Sequence, residues 1–121
     1  MAEQLAGLMK VSDNVWSTAE TLIGTYDGKN HYRKIYEVTN VAPSGTTTIN
    51  TGITGLDHFT RIGGVGVEPS GWEVPIPHIN GTAAYIIMCD YDNVNNQFRI
   101  IRYNTGGSTM TVYFTAEYTK S

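Results

Sequence analysis

The stretch with the clearest potential for chemistry is DYDNVNNQ, Asp90–Gln97, which concentrates carboxylates and amides. Its start is similar to the oxygen-rich opening of a calcium-binding loop, because carboxylate and amide oxygens are the ligands that Ca²⁺ prefers. Counted from Asp90, however, the glycine position of such a loop holds Asn95, and the position of the bidentate acid holds Ile101. We therefore expect a polar turn between two strands rather than a metal site.

The same side chains are candidates for contact with carbohydrate, because Asp and Asn can hydrogen-bond sugar hydroxyls and aromatic rings can stack on sugar faces. A second candidate is Trp72, in the Gly- and Pro-rich segment PSGWEVP. Its ring either fills the core or forms an exposed platform, and we expect it to fill the core. The residues that we predict as candidate glycan contacts are Trp72, Tyr85, Asp90, Tyr91, Asp92, Asn93, Asn95 and Asn96.

Catalytic and cofactor motifs are not recognisable. His31, His58 and His78 are widely spaced, without the close pairing that makes metal or hydrolase motifs specific. Asp90 and Asp92 are two residues apart and have no third acid at a recognisable spacing, so a glycan-degrading enzyme is only an alternative. We predict a non-enzymatic protein with no cofactor and no metal.

The single cysteine, Cys89, lies in the apolar run AAYIIMCD. One thiol cannot form an intrachain disulfide or a multi-cysteine zinc site, so we predict a buried, inert side chain. The glycines of GGVG, Gly63–Gly66, lie in or beside a strand rather than before a helix. They indicate a bulge or close packing instead of a phosphate-binding loop.

The only basic cluster is HYRK, His31–Lys34. Successive strand residues point to opposite faces, so Tyr32 and Lys34 share one face while His31 and Arg33 share the other. Because the charges are divided, and because 8 basic against 11 acidic residues give a net charge of −3, we predict no nucleic-acid partner.

Length and hydropathy bound the architecture. The chain has 121 residues, 40% of them hydrophobic, which is enough for one core. The longest apolar run, Ala83–Cys89, is far shorter than a membrane-spanning helix, so we predict no membrane insertion. The opening residues do not form a secretory signal pattern.

Most of the sequence indicates β-structure, because Val, Ile, Thr and Tyr recur in short runs separated by Gly, Asn, Asp and Pro. Asp27-Gly28 is a two-residue turn typical of a hairpin. In GWEVPIPHI, two prolines allow at most a bent or edge segment. The predicted strands are Leu22–Tyr26, His31–Val38, Thr46–Thr51, Phe59–Val67, Ala83–Cys89, Gln97–Tyr103 and Met110–Tyr118.

The last strand alternates most clearly, and its face with Met110, Val112, Phe114, Ala116 and Tyr118 is predicted to be core. In the preceding strand, Arg99 and Arg102 fall on opposite faces. We therefore expect neither face to be completely shielded from water in the monomer.

The predicted fold is all-β, an antiparallel β-sandwich, jelly-roll-like, of about seven short strands. We divide the chain into an N-terminal segment, 1–16, and one sandwich domain, 17–121. Leu5, Leu8 and Met9 have helical spacing, so the segment either forms a short helix that trimerises or joins a shaft, or is a frayed terminus. Ser17 and Glu20 have capping-box spacing, from which we expect a single turn or bend.

Two quoted segments carry a family resemblance. STAETLIGTYDGKNHYRKIYEV, from Ser17, resembles the opening of the domain at the C-terminal tips of bacteriophage tail fibres and related receptor-binding proteins. The closing TVYFTAEYTKS is similar to the family's last strand, TTTINTGITGLDHFTRIGG to its Thr-rich strand with the following Leu-Asp pair, and EVPIPHI to its Pro-Ile-Pro element. The resemblance spans about Ser17–Ser121, and none of its motifs is catalytic.

This resemblance implies a non-enzymatic tip domain in the virion, made in the bacterial host cytoplasm. It implies a homotrimer that attaches to bacterial cell-surface polysaccharide. A structural module that only caps or trimerises the fibre is the alternative.

Overall fold

A computed structural model of the chain describes residues 17–79, 85–104 and 107–121, and within these ranges its regular structure is entirely β. The predicted N-terminal helix lies outside the described residues, and Ser17 begins a bend in which its hydroxyl accepts a hydrogen bond from Ala19 N (3.1 Å). The strands, in chain order, are β1 (Thr21–Tyr26), β2 (Lys29–Val41), β3 (Ser44–Asn50), β4 (Leu56–Val67), β5 (Glu73–Ile76), β6 (His78–Ile79), β7 (Tyr85–Asp92), β8 (Gln97–Asn104) and β9 (Met110–Lys120).

The strands form two antiparallel sheets, which confirms the all-β prediction. One sheet has five strands in the order β1-β2-β9-β4-β5, and the other has four in the order β3-β8-β7-β6. Aromatic side chains join the two inner faces: Tyr36 of β2 and Phe114 of β9 pack on Phe98 of β8, and Phe59 of β4 packs on Tyr91 of β7. The sheets therefore pack face to face as a sandwich with an aromatic centre.

The β1–β2 hairpin turns at Asp27-Gly28, as predicted. Both residues have positive φ, 52° and 77°, and Tyr26 pairs with Lys29 across the turn. This two-residue turn suits the right-handed twist of paired strands. The β-bulge in β1, between Leu22 and Gly24, is a feature that the alternation did not predict.

The predicted core face of β9 is confirmed. Met110, Val112, Phe114, Ala116 and Tyr118 are all buried, because β9 lies at the centre of its sheet between β2 and β4. The remaining members of the buried core are Tyr36, Val38, Val41, Ile53, Val74, Ile76, Ile87, Phe98 and Ile100.

The proline-rich segment supplies the two strands beyond the predicted seven. β5 and β6 are edge strands of different sheets, and the chain passes between them at Pro77, which follows a cis peptide bond. The prediction of a bent edge segment is confirmed, because Pro75 lacks the N–H that a central strand needs.

Arg102 corrects one prediction. It shares a face of β8 with Phe98 and Ile100, and its side chain is fully buried with theirs. The expectation that water reaches both faces of β8 is therefore wrong for the inner face. Arg102 can be buried there because its Nη1 donates to two backbone carbonyls, Val41 O (2.9 Å) and Ser108 O (3.0 Å). These acceptors come from distant segments that local alternation does not reveal.

Close packing explains two of the three glycines in Gly63–Gly66, and at Gly66 the group that a Cβ would meet is the Met110 side chain. A Cβ on Gly64 would meet the backbone of Tyr113 and Phe114 in β9, whereas the nearest atom to a Cβ on Gly63 would be Ile76 O at 3.7 Å. Gly64 thus permits β4 to approach β9 closely, as the close-packing interpretation predicted.

Candidate functional site

One end of the sandwich, called here the hairpin end, brings together the Asp27-Gly28 turn, the loop 51–55, the β7–β8 turn and the end of β9. Leu56 pairs with Lys120, which places the start of β4 beside the end of β9. Thr51 N donates to Asn96 O (3.1 Å), which joins the loop to the β7–β8 turn. The Glu68–Trp72 turn, which follows β4, lies at the opposite end.

Two adjoining depressions at the hairpin end share Lys29. The smaller, of about 170 Å³, is lined by Tyr26, Asp27, Lys29, Asp57, His58 and Thr119. The larger, of about 470 Å³, is lined by Lys29, Asn30, Tyr32, Thr54, Gly55, Lys120 and Ser121.

An ion pair joins Lys29, which lines both depressions, to Asp57, which lines the smaller one. Lys29 Nζ donates to Asp57 Oδ2 over 2.8 Å, and Thr119 Oγ1 donates to the same oxygen over 2.9 Å. These two hydrogen bonds, that from Lys29 first, hold the pKa of Asp57 below its ordinary value. Asp57 is therefore an ionised acceptor at neutral pH, and Lys29 supplies donors beside it.

An exposed aromatic ring lies next to this pair. Tyr26, at the end of β1, is 51% exposed, and its ring packs against His31 with 5.2 Å between centroids. A ring nitrogen of His31 is 2.8 Å from Thr60 Oγ1, which helps to fix the ring that supports Tyr26. A half-exposed ring beside a donor and an acceptor is suited to stacking on a sugar while hydrogen-bonding its hydroxyls.

The larger depression is lined by another aromatic ring, that of Tyr32. Lys120 Nζ lies 5.2 Å from the centre of the Tyr32 ring and 3.0 Å from Glu20 Oε2. Burial alone would raise the pKa of Glu20, but hydrogen bonds from Tyr118 (2.6 Å) and Lys120 outweigh it, so the net shift is downward. The carboxylate of Glu20 is thus ionised at neutral pH.

The side chains of the predicted Asp90 region are engaged within the domain. Arg99 holds Asp90 with two hydrogen bonds, Nε–Oδ1 (2.8 Å) and Nη2–Oδ2 (2.6 Å), and the pKa of Asp90 is lowered chiefly by this contact. The pair lies on the outer face of the four-stranded sheet, where Asp90 and Arg99 are cross-strand neighbours.

Asp92 stabilises the turn that follows it. Its Oδ1 accepts from Val94 N (2.9 Å) and Asn95 N (3.3 Å), and its Oδ2 accepts from Asn95 Nδ2 (2.8 Å). The hydrogen bond from Asn95 is the largest cause of a lowered pKa at Asp92. Asn93 is exposed in the same turn, which confirms the prediction of a polar turn between strands.

Asn96 and Tyr91 connect this turn to the loop 51–55. Asn96 Oδ1 accepts from Thr51 Oγ1 (2.8 Å) and Tyr91 Oη (2.9 Å), and its Nδ2 donates to Ile53 O (3.0 Å). Asn96 also has positive φ, 53°. Both side chains are thus parts of the scaffold as well as predicted contact residues.

The structure does not bring the predicted residues into one site. Tyr85 begins β7 and pairs with Asn104, whereas Asp92 ends that strand, about 23 Å away at 3.3 Å per residue. Trp72 lies in the turn at the other end of the sandwich and is 48% exposed, so the expected core position is wrong. The ring is left outside because the turn ends where β5 begins at the sheet edge.

Sequence patterns did not single out Tyr26, Lys29 and Asp57 as a site. The available signal was an aromatic residue directly before a DGK turn, but Asp57 is 28 residues from Lys29. Only the β2–β9–β4 arrangement places them together.

Cys89 is partly buried against the core rather than fully buried as predicted. Burial, followed by the charge of Asp90, raises the pKa of its thiol to about 12. Among residues 17–79, 85–104 and 107–121, no group of three or more His, Cys, Asp or Glu side chains could hold a metal ion. Within the same ranges, no helix is long and apolar enough to cross a membrane.

Comparisons with protein-family models, with curated proteins and with solved structures found no match to this chain.

Proposed function

We propose that this domain is the receptor-binding tip of a bacteriophage tail fibre, which attaches the virion to bacterial surface carbohydrate without cleaving it. The observation that carries the sugar contact is the half-exposed Tyr26 ring beside the ionised Lys29–Asp57 pair in an open depression. The resemblance of the Ser17–Val38 and C-terminal segments to tail-fibre tips supports the biological setting.

The proposed contact uses complementary groups that are already in position. A pyranose ring has an apolar face that can stack on Tyr26, and its hydroxyls can donate to Asp57 and accept from Lys29. Because the ion pair and Thr119 hold the carboxylate in place, binding orders few further side chains. The β7–β8 turn, with Asn93 exposed, lies at the same end and flanks a longer glycan.

The test compares adsorption and glycan binding by the wild-type domain with three variants. Tyr26→Ala and Asp57→Asn are expected to weaken binding about tenfold or more, the loss of one stacked ring or one charged hydrogen bond. Tyr113→Ala is the matched control, since Tyr113 is a partly exposed tyrosine on another part of the five-stranded sheet.

Adsorption that is unchanged in Tyr26→Ala, or equally reduced in Tyr113→Ala, would remove the hairpin end from the proposal. If the wild type binds no glycan on an array of bacterial surface polysaccharides and adsorbs to no susceptible strain, the receptor role itself is wrong.

A structural cap or trimerisation module is the second candidate, and an apolar surface favours it. Ile79, Met88 and Tyr103 are exposed on neighbouring strands of the four-stranded sheet, and Ile86 and Ile101 lie between them. Such a cluster is typical of an interface. A homotrimer in light scattering that never adsorbs to cells would favour the cap over the receptor role.

A glycan-degrading enzyme that uses Asp90 and Asp92 gains no support from the geometry. Retaining and inverting glycosidases both need a carboxylic acid that is still protonated at working pH. The pKa values of both aspartates are lowered, by Arg99 and by Asn95 respectively. Release of reducing sugar that is lost in Asp90→Asn would reverse this ranking.

A further inference from the structure

The five-stranded sheet extends one strand beyond the sheet that it covers. Tyr36 of β2 donates to Thr51 O, directly after β3 (2.6 Å), while β9 lies over β8 and β4 over β7. β1 is next to β2 and therefore projects past the edge of the four-stranded sheet. In agreement, none of its residues, all of which are described, belongs to the buried core.

Leu22 shows that the inward face of β1 is left uncovered. It pairs with Tyr32, and Tyr32 shares the inward face of β2 with the buried Tyr36 and Val38. Although Leu22 thus points inward, it is 56% exposed. Within the described residues, the position below β1 and beside β3 holds no strand, and we call it the open strand position.

Among the described residues, the edge of β3 that borders this position has none of the usual protection within its own strand. β3 has seven residues, without proline, without charge and without a register shift against β8. The other edge strands differ: β1 contains a bulge, β5 contains Pro75 and β6 has only two residues. Long, regular, uncharged edges are templates for pairing with another strand, and natural sheets normally avoid them.

We propose that β3 is a docking edge for an extended polypeptide segment of a partner protein, which adds as a fifth strand in the open strand position. Its main chain pairs with β3, and its alternate, apolar side chains pack upward against Leu22 and Tyr32. The inward residues of β3 itself, Thr47 and Ile49, are uncharged. Lys34, on the inward face of β2 beside Tyr32, adds one charge, and its Nζ donates to Thr51 O (2.9 Å) just after the end of β3.

Because β1 extends over the open strand position, a single extended segment fits there better than a second folded copy of the domain. If two copies paired antiparallel through β3, the β2 strand that covers β3 in the second copy would enter the space occupied by β1 of the first. A segment that is not covered by its own sheet meets no such obstruction. This docking edge is separate from the proposed sugar contact at Tyr26, Lys29 and Asp57, although Tyr32 borders both the docking position and the larger depression.

The test uses the full chain and a synthetic peptide of about eight alternating Thr and Val residues with lysines at its ends. Amide hydrogen exchange across residues 44–50 is expected to slow about tenfold when the peptide exceeds its dissociation constant tenfold. The same peptide, N-methylated at all of its internal residues so that both hydrogen-bonding edges are blocked, is expected to have no effect.

Two variants test the predicted geometry. Leu22→Lys places a charge over the open strand position and is expected to weaken peptide binding about tenfold, measured by fluorescence anisotropy. Ile79→Lys is the matched control, because Ile79 is a similarly exposed aliphatic residue in β6, at the opposite edge of the four-stranded sheet, and it is expected to bind the peptide as the wild type does.

Three results would overturn the proposal. Exchange at residues 44–50 that is unaffected by peptide would remove the docking edge. Protection that grows with protein concentration, together with a dimeric solution mass, would identify a second copy as the occupant. Protection that precedes peptide addition and is independent of concentration would show that the position is filled from within the chain.

Discussion

Arg102 and Glu68 form an ion pair at the end of the sandwich opposite the hairpin, with 3.6 Å between Arg102 Nη2 and Glu68 Oε2. The arginine side chain is fully buried and that of the glutamate is 13% exposed. Removal of the carboxylate takes a negative charge away from a buried cation whose Nη1 donates to neutral carbonyls. We expect Glu68→Ala to lower the free energy of unfolding by about 3 kcal/mol in urea titrations.

Glu73→Ala is the control for this change, because Glu73 is a nearby, exposed glutamate at the start of β5. It is expected to alter the free energy of unfolding by less than about 0.5 kcal/mol. Equal effects of the two substitutions would contradict a stabilising role for the Glu68–Arg102 pair.

Gly64 and Gly63 provide a test of strand packing with adjacent residues. An alanine at 64 collides with the backbone of β9, and backbone cannot rotate away as a side chain can, whereas an alanine at 63 has ordinary contacts. We expect Gly64→Ala to lower the free energy of unfolding by about 3 kcal/mol or more and Gly63→Ala to change it little. Thermal unfolding by circular dichroism measures both, and similar melting temperatures would argue against close packing at Gly64.

Asn96 is expected to contribute to stability in addition to any role in binding. Asn96→Ala removes an acceptor for Thr51 and Tyr91 and a donor to Ile53, at a residue with positive φ. The expected loss is about 2–3 kcal/mol of unfolding free energy. Asn93→Ala, in the exposed part of the same turn, should be close to neutral in the same urea titration. A stable Asn96→Ala protein with reduced adsorption would instead assign Asn96 to the receptor contact alone.

The pKa of Glu20 predicts a loss of stability in acid. Burial opposes its ionised form, but the hydrogen bonds from Tyr118 and Lys120 prevail, so the pKa is lower in the folded than in the unfolded chain. Such a group contributes stability above its ordinary pKa of 4.5, and that contribution disappears as the pH falls through the folded value. The free energy of unfolding should therefore decline below about pH 4.5, and less steeply in Glu20→Gln. Identical pH slopes in the two proteins would contradict this assignment.

Local signals predicted the architecture where they were self-contained. The Asp27-Gly28 turn and the alternation in Met110–Tyr118 each depend on neighbouring residues alone, and both are found as expected. Arg102 and Trp72 were placed wrongly, because their burial depends on which distant segments cover them. Sequence located the polar β7–β8 turn but not the partners of its side chains: Thr51 is 45 residues from Asn96. For the same reason, the Lys29–Asp57 pair was visible only in the folded chain.

Two very short crossings restrain the sandwich on opposite flanks. Only Ala42 and Pro43 separate β2 from β3 on one flank, and only Pro77 separates β5 from β6 on the other. Because so little chain is available at either crossing, one sheet cannot slide far over the other without breaking strand pairs. The distance between the overhanging β1 and the edge of β3 is accordingly restrained, so the segment proposed to dock there would meet a slot of nearly constant width.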